Sequence, residues 1–128
     1  MKMPLIVAAA VLLLSGCSAA VRHAPASIAP VAAAASPLTL SQAAVVVFDT
    51  GYTRPLNAGS RWAMAGTIAQ GTVYKPVGDI FTVEGAHIHE AWLVLDRDQL
   101  VGFYLPAERG FSSLRTPLAL HLKNQGLQ

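Results

Sequence analysis

Apolar residues fall into three regimes along the chain. Leu5 to Leu14 is an unbroken apolar run of ten residues. A spanning helix needs ~20 apolar residues to cross ~30 Å of hydrocarbon, so this run is too short to span. Residues 18–37 (SAAVRHAPASIAPVAAAASP) then show no alternation and no aromatic residue, only Ala, Pro and Ser in excess. From Leu38 onward the pattern turns to a period of two. Ala43 to Phe48 (AAVVVF) is a β-branched run that suits a buried strand. Arg61 to Ile68 carries Trp62, Met64, Gly66 and Ile68 on one parity. Gln70-Gly71 predicts a turn before Thr72-Val73-Tyr74, Pro76 and Gly78 break the next stretch, and Ile80 to Glu84 alternates again. Thr50 to Gly59, with Pro55 and Asn57, reads as a loop.

The strongest pattern is His87 to Leu105. HIHEAWLVL and LVGFYLP flank the polar turn Asp96-Arg97-Asp98-Gln99, which predicts a hairpin. In its first strand His89, Ala91, Leu93 and Leu95 share one face; Glu90, Trp92, Val94 and Asp96 share the other. Pro106 ends the second strand, and Pro117 to Leu122 predicts a last one before a polar tail to Gln128. No 3.6-residue pattern is sustained, so at most one short helix is expected, near Thr39–Ala44 with Ser41 as cap. The expected class is mainly β: a small antiparallel β-sandwich or barrel-like meander over residues 38–128.

Composition sharpens the division. The whole chain is 53% hydrophobic with net charge +2. Residues 38–128 hold 43 hydrophobic residues in 91, an ordinary globular share, and seven basic residues against seven acidic. All nine aromatic residues lie there. The apparent membrane-like and basic character belongs to the first 37 residues. A neutral domain argues against nucleic acid as a partner. A single cysteine excludes an intrachain disulfide and any zinc site built on several thiolates.

Lys2, the apolar run and the small residues Ser15, Gly16, Cys17, Ser18, Ala19 and Ala20 that follow form a secretory layout, with residues 1–16 as the signal peptide. Leu14-Ser15-Gly16-Cys17 resembles the lipobox of bacterial lipoproteins. The resemblance implies a diacylglyceryl thioether on Cys17, cleavage before it, and acylation of the new amino group with a fatty acid such as palmitate. Ser18, where that family carries Asp for inner-membrane retention, implies sorting to a Gram-negative outer membrane, facing the periplasm. Residues 17–37 then read as a lipidated, semi-extended tether whose prolines Pro25, Pro30 and Pro37 block helix. Arg22 and His23 are placed to touch headgroups.

Candidate chemistry is sparse. His87-Ile88-His89 puts two imidazoles on one strand face, where they could meet one metal, with Glu84, Glu90, Glu108 or His121 to complete a site. The HxH pattern resembles the cupin metal motif in part. It departs from that motif in having Leu93 and Val94 where a glutamate belongs, and Glu90 adjacent instead. No nucleophile elbow, phosphate-cradling loop or cofactor fingerprint occurs, so no enzyme activity and no cofactor are expected. Ser112 and Ser113 read as turn or strand residues. Phe103 and Tyr104 face opposite sides of one strand, and Trp92 shares parity with Glu90 and Asp96, which makes Trp92 and Tyr104 candidate exposed contacts. The expected role is binding or assembly in an envelope complex, such as a secretion or conjugation machine. The membrane is then reached through the lipid and an envelope protein through the domain. The alternative is a metal- or ligand-binding domain centred on His87 and His89.

Overall fold

The computed structural model describes residues 20–31 and 35–124. The expected signal segment, Cys17, Ser18, most of the Ala32–Ala35 run and the tail past Asn124 lie outside the described residues. Those described form an all-antiparallel β structure without helix that is not closed into a barrel, as a small β-sandwich requires. In chain order the strands are β1 (Ala24–Pro25), β2 (Ala29–Pro30), β3 (Leu38–Leu40), β4 (Ala44–Val47), β5 (Thr53–Leu56), β6 (Arg61–Ile68) and β7 (Gly71–Pro76). They continue as β8 (Thr82–Glu84), β9 (Ile88–Glu90), β10 (Trp92–Asp96), β11 (Gln99–Leu105), β12 (Gly110–Ala119) and β13 (Leu122–Asn124).

The main sheet runs β1-β12-β11-β10-β7-β6-β3-β13, with β2 also paired to β6. The hairpins β4–β5 and β8–β9 form separate two-stranded sheets. The first core lies between these layers. Leu93, Leu95, Leu100, Phe103 and Leu105 of the main sheet meet Val46, Leu56, Phe81 and Val83 of the hairpins. The Phe103 ring, wholly buried, stacks at 5.4 Å on Phe48 and at 5.8 Å on Phe81. Arg54 of β5 lies over the Phe81 ring at 4.6 Å and donates from Nε to Thr82 O, tying one hairpin to the other.

Three expectations change. The long strand beginning at His87 is broken at Ala91, whose N–H donates to Phe81 O. The residues before it form β9 and pair with β8; those after it form β10 and pair with β11. The segment expected as loop contains β5, because Pro55 stands in a two-stranded hairpin where a missing donor on the outer side costs nothing. The region allotted a helix is instead β3 followed by Ser41, whose N–H and hydroxyl both donate to His121 O.

The largest change concerns residues 20–31, expected to hang free as part of the tether. They form a strap. Ala24 and Pro25 pair with Phe111 and Gly110 of β12, and Ala29 and Pro30 pair with Thr67 and Gly66 of β6. Ala26 and Ile28 pack on a second core of Ile68, Val73, Val94 and Tyr104 on the other face of the main sheet. From Pro25 to Ala29 the chain spans at most ~14 Å. Six strand spacings, the separation of β1 from β2 across β12, β11, β10, β7 and β6 in a flat sheet, would be ~29 Å. The sheet must therefore coil to bring those strands under one strap. Register shifts at Met64/Gly66, Val94/Leu95 and Leu100/Gly102 supply the bending. Gly66 is required for another reason. A Cβ there would drive into Ala29 O and the Ile28 side chain, so the absent side chain makes room for the strap.

Candidate functional site

Four polar groups converge where the strap, β9 and the β11–β12 loop meet. His89 belongs to β9, and its strand parity turns it inward beside Val83 while its neighbours Ile88 and Glu90 face out. Glu108 comes from the loop Pro106–Arg109 that joins β11 to β12. His89 Nδ1–H donates to Glu108 Oε1 over 2.7 Å, with the two side chains 13% and 25% exposed. The His87 and His89 rings meet in a T-shaped arrangement at 6.5 Å, and the ring of His23, in the strap, meets His89 in the same way at 6.4 Å.

The electrostatics of the pair follow from this packing. The hydrogen bond from His89 holds the Glu108 carboxyl below its usual range. Burial opposes that shift, while a backbone hydrogen bond and the charges of His89 and His23 add to it. Glu108 Oε2 is buried without a hydrogen-bond partner. Partial burial makes such a pair more than a surface ornament, since neither group is fully returned to water when the contact opens. Its chemical reach is nonetheless short. A carboxylate orienting an imidazole is two thirds of a nucleophilic triad, and the third member would have to be a hydroxyl or thiol within hydrogen-bond reach. The hydroxyl of Ser112, buried on β12, is not that partner, since among the described residues the His89 ring bonds Glu108 alone. What the pair does mechanically is pin the β8–β9 hairpin to the β11–β12 loop.

Of the residues singled out from sequence, the structure brings His87, His89 and Glu108 together but not Glu84, Glu90 or His121. Among the described residues no three His, Cys, Asp or Glu side chains converge as metal ligands. His87 is exposed, and Glu90 accepts instead from Trp92 Nε1 at 3.3 Å. Trp92 is half-buried, packing on the second core with its ring 5.8 Å from Tyr104. Tyr104, expected as an exposed contact, is only 4% exposed, because the strap residues Ala26 and Ile28 cover that face. His23 was not legible as a member of the cluster: it enters through the strap's pairing with β12, and nothing in an Ala/Pro-rich stretch announces that.

The surface carries the other candidate features. Among the described residues the large exposed hydrophobic ones are Val45, Val47, Val77, Ile80 and Ile88. Thr82 and Glu84 of β8 lie opposite Glu90 and Ile88 of β9, so Ile80, Glu84, Ile88 and Glu90 share the outer face of that hairpin. Ile80 and Ile88 are 68% and 69% exposed there. In sequence and in structure the chain matches no family model, no curated protein and no solved structure.

Proposed function

We propose that this chain is a lipoprotein of the bacterial envelope, anchored through Cys17 in the outer membrane, whose β domain binds an envelope protein on its periplasmic side. The anchor is supported by the lipobox Leu14-Ser15-Gly16-Cys17 behind a ten-residue apolar run, and the sorting by Ser18. The observation that carries the binding role is the outer face of the β8–β9 hairpin. Ile80 and Ile88 are both more than two-thirds exposed beside two carboxylates, on a hairpin held rigid by Ala91 N–H to Phe81 O and by His89 to Glu108. Exposed large aliphatic residues on a rigid element, bordered by charge, have the character of an interface core with its polar rim. The acidic residues select a basic partner surface.

The test has two arms. Cys17→Ala should move the protein from the membrane fraction to the soluble periplasmic fraction, and retention in the membrane would sink the anchor. A photo-crosslinking residue at Ile88 should give one discrete adduct in living cells, lost on Ile80→Asp. Adducts of equal yield from Ile88 and from the exposed Ala107 would sink the hairpin as the binding face.

A further inference from the structure

We infer that the surface around Ala20, made by the outer side of β4 and the adjoining stretch of β12, docks directly on an anionic bilayer. This rests on the anchoring of Cys17. The strap changes what that anchor does. A twenty-residue tether would hold the domain tens of ångströms off the membrane, but the folded structure already includes Ala20. Only three residue steps separate Ala20 from Cys17, a reach of at most ~11 Å. Whatever surrounds Ala20 is therefore held at headgroup depth.

What surrounds it suits a membrane. Ala20, Val21 and Arg22 line a groove with Phe48, Asp49 and Arg115. A second groove, sharing Phe48, Asp49 and Arg115, continues past Val45 and Val47 to Pro117. On β4 the alternation puts Val46 into the core and leaves Val45 and Val47 57% and 65% exposed. Across from them β12 carries Leu114–Pro117 as extra residues between the pairs Gly102↔Ser113 and Leu100↔Leu118, so this stretch leaves the ladder with β11. The patch thus holds two bare valines, an exposed proline and two arginines, with Asp49 as the acidic side chain lining its grooves, 3.4 Å from Arg115. Apolar side chains that enter the headgroup boundary, flanked by cations that meet lipid phosphates, describe an interfacial contact rather than a span. The direction of β12 then places the rest. Gly110, at its start, adjoins the Glu108 loop that holds the β8–β9 hairpin, and Arg115 lies five residues further on, ~17 Å along the strand. A domain resting on the Arg115 end turns the Glu108 end toward the periplasm.

The experiment uses the full-length lipidated protein in phosphatidylethanolamine–phosphatidylglycerol vesicles. Because Cys17 is the sole cysteine, Val47→Cys and Ala107→Cys each introduce one free thiol for an environment-sensitive probe. Quenching by doxyl-labelled lipid should be about threefold stronger at position 47 than at 107, as expected for a face seated at the headgroup boundary. Arg22→Gln and Arg115→Gln should each lower the docked-to-undocked ratio about fivefold. Equal quenching at the two positions, with Cys17 shown by mass spectrometry to carry its lipid, would overturn the docking surface and leave the anchor standing. An unmodified Cys17 would overturn the anchor itself and the docking with it. Shielding at position 47 that persists in detergent, at the mass of a dimer, would assign the face to a second copy of the chain and overturn the bilayer as its occupant.

Discussion

Gly66→Ala tests the strap with a sign change. In a β-strand interior, glycine costs about 0.5–1 kcal/mol relative to alanine through backbone entropy. On that ground alone the substitution should stabilise. The strap reverses the outcome, because the new Cβ would meet Ala29 O, with Ile28 Cγ1 at 2.8 Å and Cδ1 at 3.1 Å. Overpacking of this kind costs about 1–3 kcal/mol. In a chain beginning at residue 20, Gly66→Ala should therefore destabilise by roughly 0.5–2 kcal/mol net. In a chain beginning at residue 35, which lacks the strap, it should be neutral or stabilising. Urea denaturation followed by tryptophan fluorescence measures both, and the difference corresponds to about 1 M in midpoint at an ordinary m-value. The comparison is a double-mutant cycle in which deletion of the strap is one of the two changes. An identical midpoint shift in the two chains would mean that Gly66 does not touch residues 28–30, and the strap would have to be abandoned.

Three further outcomes follow from the packing. Phe103→Ala should cost about 3–5 kcal/mol, since the ring is fully buried between Phe48 and Phe81; a loss below 1 kcal/mol in chemical denaturation would contradict the first core as described. Glu108 has its folded pKa held below the ordinary value by His89, so its stabilising contribution is complete above about pH 4.3 and is lost as the pH falls through the depressed folded value. Glu108→Gln should accordingly flatten the acid limb of the stability–pH profile without changing its shape above about pH 5, and an unchanged acid limb would mean that the pair does not stabilise the fold. Arg109 sits at φ 50° in the β11–β12 loop, so Arg109→Gly should stabilise by about 1 kcal/mol, read as a rise in thermal midpoint; a fall would mean that its side chain matters more than its backbone.

Local patterns were legible in the sequence where they alone decide the structure. Arg61–Ile68 appears as β6 with the bounds its alternation implies, and the Asp96–Gln99 turn joins β10 to β11 as its polarity implies. The sequence showed that His89 shares a parity with Leu93 and Leu95, but not that this parity turns it inward beside Val83. What failed depended on distant partners. Pro55 hid β5, because nothing local says that the proline's outer side has no neighbour to disappoint. Ala91 broke an apparently continuous strand through a bond to Phe81 O that only the β8–β9 hairpin explains. The strap was invisible because its content is spread thinly: two two-residue ladders and the side chains of Ala26 and Ile28, embedded in residues whose composition is that of a linker. Glu108 was one of four possible partners for the histidines, and the loop that selects it is set by sheet register rather than by spacing.

The strap also imposes an order on events. It is the earliest described stretch of the chain to be made, yet Ala24 pairs with Phe111, in the last long strand to be completed. Contacts this distant in sequence close late, because the loop between them must first lose its freedom. On the lipoprotein reading, the amino-terminal stretch stays unpaired during export until nearly the whole chain has followed it. That interval leaves Cys17 open to the acylating and cleaving enzymes. Completion of β12 then draws the strap down, so the first described stretch of the chain is the last to be fixed in the fold.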